Sequence, residues 1–350
     1  MAETTLVEVL TDIADAIREK EGSTDLIPVS EMESRIAGLS TGSSFPNGTE
    51  WTQSNITSGA VRSIYNADGL WVAACYNKGI YYSTDGKTWT PSNVMDVRFF
   101  FVHNANGIWV ACSSGNGLYY STDGQTWTQS NITSGSCNIV SNANGLWVAG
   151  CNAIGACYST DGQTWTQSNI TSGNADYVYN ANGLWVAACS SGIYYSTDGQ
   201  TWTQSDITSD DFSLVYNANG IWVAVGLGLC YSTDGKTWSQ ANVTDGMVYS
   251  VYNANGIWVA VGAAGFYYSI DGMIWTKSNT TYQQIRFVHN ANGIWVACSN
   301  DAGLYYSTDG MTWTQSNITS GYFPSTYNTN GIWVAGGVNG LYYSLTWAPN

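Results

Sequence analysis

Beyond residue 50, apolar positions recur at a spacing of two, in short runs cut by Asn-Gly, Asp-Gly and other glycine-bearing turns. That is the pattern of half-buried β-strands; helical apolar positions would return every three or four residues. "SIYNA" (63–67) alternates and ends in Asp68-Gly69, a pair suited to a two-residue type I′ hairpin, and Asn106-Gly107 and Asn144-Gly145 repeat it. "LWVAAC" (70–75) follows as a second strand, and a glycine-containing loop leads to "GIYYS" (79–83). Asp85-Gly86 predicts another tight hairpin into an outer strand, "TWTPS" (88–92).

This unit repeats. The motif "NG[LI]WVA" places Trp at 71, 109, 147, 185, 222, 258, 295 and 333, and a second Trp series falls at 89, 127, 165, 202, 238, 275 and 313. With Trp51 and Trp347 these account for all 17 tryptophans. Four short strands in about 37 residues make one blade of a β-propeller, so eight repeats predict an all-β, eight-bladed ring of four-stranded antiparallel blades. The ends suggest its closure. The last repeat stops at "LYYSLTWAPN", and the first begins "PNGTEWTQSNITSG", the tail of a repeat. Trp51–Asn55 is therefore expected to supply the outer strand of the blade formed by Thr326–Ser344; the alternative is an outer strand around Trp347.

Residues 1–40 are different material. "TLVEVLTDIADAIREKEG" sets Leu6, Leu10, Ile13 and Ile17 on one helical face, and Ser30 with Glu33 forms a capping box for a second short helix. Two such helices cannot bury a core, so a head at 1–40 is expected to dock on other proteins or self-associate. A linker at 41–48 joins it to a propeller over 49–350.

Composition narrows the function classes. The net charge is −15 and no basic stripe is present, which argues against nucleic acid. No apolar run approaches membrane-spanning length and the first 40 residues lack signal-peptide regions, so a soluble protein made in the cytoplasm is expected, without membrane insertion. Cys75, Cys112, Cys151, Cys189 and Cys298 occupy one repeat position, where they cannot all pair, so they read as small buried thiols. No Cys/His cluster calls for a metal, and no motif calls for a cofactor. His103 and His289, the only histidines, each replace the Tyr of "VYNAN" and read as packing residues.

Ser83-Thr84-Asp85-Gly86-Lys87-Thr88-Trp89 resembles the Asp-box, or BNR, repeat of sialidases and many other propellers, with Asp at 85, 123, 161, 198, 234, 271 and 309. It departs from that box by one residue fewer between Asp and Trp. The resemblance implies a structural turn on the face away from ligand, with Asp capping backbone amides and Trp packed beneath. "LTDIADAIR" (10–18), with Ile27-Pro28 and Glu31-Met32, resembles a short module of phage and prophage tail-associated proteins, which implies attachment to a virion. The sialidase chemistry implied by the first resemblance needs an arginine triad and a Tyr activated by Glu. The propeller holds three arginines (62, 98, 286), at repeat-related positions that need not converge, and no Glu beyond Glu50. No catalytic residue is therefore assigned; an Asp pair, Asp210 or Asp211 with Asp176, is the remaining glycosidase arrangement.

Copies of the repeat can be compared within the chain. The boxes, the Asn-Gly turns and "WVA" hardly change; differences gather in the segment entering the first strand and in the loop between the second and third strands. Antiparallel strands put both variable places on one face. Three residues before the "YNAN" tyrosine stand Arg62, Phe100, Asn138, Asp176, Tyr249 and Arg286; five before it stand Arg98, Asn174, Asp211, Gln284 and Tyr322. The position between is apolar, as period-two alternation requires if the mixed positions face solvent. Neutral drift on an unpacked face would also leave such variety. Aromatic faces and planar polar groups in a shallow crown suit surface glycan. The expectation is a non-catalytic binding module, a phage or prophage tail-associated receptor binder on the virion, or else a cell-surface adhesin or lectin, a degenerate glycosidase or a virion spacer.

Overall fold

Two adjacent residues of positive φ turn the chain back on itself at Asp68 (50°) and Gly69 (82°), so Ala67 pairs with Leu70 and the inner strand Ala60–Ala67 runs antiparallel to Leu70–Tyr76. Gly79–Ser83 and Thr90–Pro91 complete this sheet, blade 1. The computed structural model describes residues 50–345 apart from 171–173, 209–210, 245, 279–283 and 330–331. The expected helices of 1–40, the linker 41–48 and the Trp347 strand lie outside the described residues.

Within them are eight four-stranded sheets, each in chain order except the last. There Thr52–Gln53 pairs antiparallel with Gly340–Leu345, Thr52 opposite Tyr343, on the outer edge of the blade opened by Ser325–Thr329. The fold is an all-β, eight-bladed propeller closed by its N-terminal strand, as the two ends of the repeat pattern predicted.

Sheets do not hydrogen-bond to one another as strands do, so side chains must hold the ring. Each of eight apolar clusters lies between two neighbouring blades; one joins Val72, Ala74 and Ile80 of blade 1 to Phe99, Val102 and Trp109 of blade 2. Near the axis the inner-strand Tyr or His meets the next blade's Trp edge-on, as in Tyr65–Trp109, His103–Trp147 and Tyr327–Trp71, with centroids 6.1, 5.9 and 6.1 Å apart. Such pairs add about 0.5–1.5 kcal/mol each beyond area burial. Ser141 stands where a ring stands in the other blades.

A polar clamp crosses the same seams. Asn55 Oδ1 accepts from the Trp89 backbone N–H (2.8 Å) and Asn55 Nδ2 donates to the Trp89 carbonyl (2.9 Å). The equivalent asparagines Asn93, Asn131, Asn169 and Asn242 grip Trp127, Trp165, Trp202 and Trp275 in the same way. At the closure Asn317 grips Trp51 across 266 residues.

Two expectations are corrected. The Ser83–Trp89 connection is a longer loop, since Tyr82 pairs with Thr90 and the outer strand is only Thr90–Pro91. Its polar side chains explain the length. Ser83 Oγ accepts from the Asp85 and Gly86 N–H groups, Asp85 Oδ1 accepts from Lys87 and Thr88, and Trp89 Nε1 donates to the Gly86 carbonyl. Cys137 and Cys151 form a disulfide, because the inner strand of blade 3 places Cys137 directly opposite Cys151; comparing equivalent positions among repeats overlooked this cross-strand partner. Cys75, Cys112, Cys157, Cys189, Cys230 and Cys298 are buried and lie outside that disulfide.

The clamp makes a stability test. In blade 4 its residue is Asp206, which accepts from the Trp238 N–H (3.1 Å) and has no hydrogen to return to the Trp238 carbonyl. Asp206→Asn is expected to stabilise by about 1 kcal/mol and Asn131→Asp to destabilise by about as much, read from denaturant midpoints at constant m-value.

Candidate functional site

The turns at Asp68-Gly69 and Ser83–Trp89 emerge on one face of the ring, since neighbouring strands are antiparallel. The loop at Asn77–Lys78 and the connector into the next blade emerge on the other. The turn face repeats one hydrogen-bonded turn, kept in blade 6 although Ile270 and Ile274 stand exposed there. All seven turn aspartates titrate below the usual 3.8: in Asp85 partial desolvation opposes the shift, but bonds from Thr88, Lys87 and Ser83 outweigh it. The backbone amides of Thr237 and Lys236 draw Asp234 down to about 2.

The opposite face, the crown, is built from a repeated irregularity. In blade 1 the register shifts between Val61 and Ser63, leaving Arg62 as the extra residue of a β-bulge. Phe100, Asn138, Asp176, Ser213, Tyr249 and Arg286 occupy the same bulge in blades 2 to 7. Simple alternation is therefore the wrong description: Val61 is fully buried as expected, but a bulge aims the half-buried residue after it. Backbone bonds fix the level of the crown. The carbonyls of Arg98, Asn174, Gln284 and Tyr322 accept from Ser114, Ser190, Asn300 and Val338 in the facing loops. At Gly155, φ is 74° and a Cβ would stand 1.8 Å from the Ile170 carbonyl oxygen, which explains a glycine at the entry to the third strand.

The candidate side chains gather in three groups. Arg62 Nη1 donates to Tyr322 Oη (2.8 Å), and its guanidinium lies 5.2 Å from the Tyr76 ring and 5.4 Å from the Tyr322 ring. Arg98 lies 5.3 Å from the same Tyr76 ring and donates from Nε to Asn77 Oδ1, while Phe100 stacks on Tyr76 at 5.7 Å. Two of the arginines thus share one ring, contrary to the expectation that they need not meet: consecutive blades carry the two positions side by side. The second group is Arg286, 4.0 Å over the Tyr249 ring and 3.4 Å from Asn300 Oδ1.

In the third group Asn138 Nδ2 donates to Asn152 Oδ1 (2.7 Å) and to Asp176 Oδ1 (2.9 Å). Burial, and then the charge of Asp211, raise the Asp176 carboxyl above its usual range, against the bond from Asn138. Asp211 itself is exposed. Asn174 accepts from the Ala153 N–H at 3.4 Å, and Gln284 joins the crown through its backbone, at φ 59°. Residue comparison missed Tyr76, Asn77, Asn152 and Asn300. Asn77, Asn152 and Asn300 lie in the loop between second and third strands, already marked as variable, and Tyr76 ends the second strand beside it; which of these residues face the bulges is decided by register. Among the described residues no group of His, Cys, Asp and Glu is placed to hold a metal ion.

At the axis His103 and His289 sit among the inner-strand tyrosines, 4.7 Å from Tyr65 and 4.8 Å from Tyr252. Desolvation lowers both from 6.5 to about 4. Below pH 6.5 the unfolded chain takes up protons that the folded ring refuses, so acidification from 6.5 to about 4 costs stability. Denaturant titrations across that window should show the loss in the wild type and a much reduced loss in a His103→Tyr, His289→Tyr double variant. The turn aspartates act at lower pH, below 3.8.

No family model and no curated protein matches the chain. Solved structures do. The computationally designed Ika8 protein superposes with a TM-score of 0.70 at 9% identity, over 85% of this chain and 100% of its own. Sqt1 of Saccharomyces cerevisiae gives 0.65 at 8% identity, over 87% and 100%, and YCF48 of Cyanidioschyzon merolae gives 0.58 at 14%, over 85% and 98%. At these identities the likeness establishes a shared fold.

Proposed function

We propose that the protein is a non-catalytic binding module that recognises bacterial surface glycan through the crown. The observation that carries this reading is the contrast between the faces. One face repeats the same hydrogen-bonded turn around the ring. The other presents Arg62, Phe100, Asn138, Asp176, Tyr249 and Arg286 at one structurally equivalent bulge. Half-buried aromatic rings can stack on sugars, and planar amides and guanidinium groups can bond their hydroxyls. The turns act as Asp-boxes, a frame on the quiet face. Residues 1–40 attach the module to a virion tail or to copies of itself, which would multiply weak contacts.

Support for a catalytic alternative is confined to Asp176, whose raised carboxyl beside the charge of Asp211 has the character of a glycosidase acid. Its Oδ1 is already bonded by Asn138, and no Glu beyond Glu50 stands in the propeller to activate a Tyr. We therefore assign Asp176 to binding. Reducing-sugar release from a bound polysaccharide, lost in Asp176→Asn, would reverse that assignment.

On an array of bacterial surface glycans the full chain is expected to bind a subset. Replacing Arg62, Tyr249 and Arg286 together by Ala should weaken binding at least about ten-fold without lowering the thermal midpoint by more than a few degrees. Unchanged binding would remove the crown from the reading. A gene neighbourhood without tail or baseplate proteins would favour a host adhesin over a virion protein.

A further inference from the structure

The propeller carries few cations, and their placement is uneven. Of seven Lys and Arg after residue 50, Lys87 and Lys236 follow turn aspartates on the quiet face and Lys277 lies in an outer strand. The other four, Arg62, Lys78, Arg98 and Arg286, stand on the crown in blades 7, 1 and 2 or the connector between the last two. Asp176 and Asp211 stand in blade 4 and the connector into blade 5, across the ring.

Among the described residues no carboxylate forms an ion pair with Arg62, Lys78, Arg98 or Arg286. The sector's own carboxylates, Asp96 and Asp301, are both exposed, and Asp96 acts on Tyr81 in the third strand. Arg62 and Arg98 nevertheless lie 5.2 and 5.3 Å from one ring, Tyr76, which gathers two guanidinium groups, one half-buried and one exposed, around a single side chain. Like charges so placed repel, and an anion between them would relieve the repulsion.

The donors point the same way. Arg98 spends Nε on Asn77, leaving both terminal amino groups without a partner among the described residues. Arg62 spends Nη1 on Tyr322, and its Nε is buried and makes no hydrogen bond. The Arg98 fork, held at Nε with both terminal amino groups open, suits a carboxylate or phosphate, which it can bind with two parallel bonds, and Arg62 adds its Nη2.

Building on the glycan reading, we infer that the sector from Tyr322 to Phe100 is a subsite for an anionic substituent of the glycan, gripped by Arg62 and Arg98 over Tyr76. The ligand class is an acidic polysaccharide bearing carboxylate or phosphate groups. The acidic side of the crown would turn the same chain so that its neutral hydroxyls meet Asn138 and Asp176.

The test presents a panel of bacterial surface polysaccharides to the full chain, each native, carboxyl-reduced and dephosphorylated. Bound members should be acidic, and removing the anion should weaken binding about ten-fold or more, as loss of a charge-assisted hydrogen bond does. Whichever treatment acts identifies carboxylate or phosphate. Arg98→Gln should reproduce the loss, Lys236→Gln on the quiet face should not, and binding should weaken steeply from 50 to 500 mM salt, roughly from 14 to 4 Å of screening length. The ligand and salt arms use wild-type protein, so a poorly folding variant does not decide the outcome. Polysaccharides bound equally well after both treatments would overturn this inference and leave the glycan reading standing. No binding to any member would overturn both.

Discussion

The ring depends on what crosses between blades, and the side-chain amide of one repeated asparagine is a polar bond that does so at every seam where both partners are described, except where Asp206 replaces it. Strand hydrogen bonds end at the edge of each four-stranded sheet. The carboxamide supplies a donor and an acceptor in one plane, matching the N–H and carbonyl of a single Trp in the next blade. That geometry fixes the rotation from blade to blade while the Trp and Tyr stacks fill the space inside it. The closing blade obeys the same rule through Asn317 and Trp51, so the first described strand is held by the same bond that holds the others.

A frame secured in this way leaves one face free. Asp-Gly turns and inter-blade clamps engage the Ser, Asp and Asn side chains that the repeat holds constant at those places. At the crown, backbone bonds to the carbonyls of Arg98, Asn174, Gln284 and Tyr322 hold the main chain and ask nothing of their side chains. In blades 1 to 7 the bulge then presents one residue at the equivalent place. Mixed chemistry can stand there at small cost to the fold, which is the condition for a binding surface that differs in composition around one ring.

The crown is accordingly not eightfold in its chemistry. Cations over tyrosine rings occupy one arc, and an amide and carboxylate network the opposite arc. A linear polymer laid across it would meet unlike ends, so direction as well as composition could be read.

The repeat spacing by itself determined the all-β class, the eight blades and the type I′ hairpins, because a period-two pattern with fixed turn residues has few other solutions; it left the closing strand between Trp51 and Trp347, and the pairing of Thr52 with Tyr343 chose the first. It also separated the uniform face from the variable one, since alternating turns must alternate faces. Tertiary structure alone decided three things. The outer hairpin is a longer loop, because Ser83 and Asp85 satisfy its amides from their side chains. Cys137 meets Cys151 because a cross-strand register, and not a repeat position, chooses its partner. Arg62 and Arg98 share Tyr76 because a bulge and a neighbouring loop bring together residues 36 positions apart or fewer, a proximity that no spacing in the sequence records.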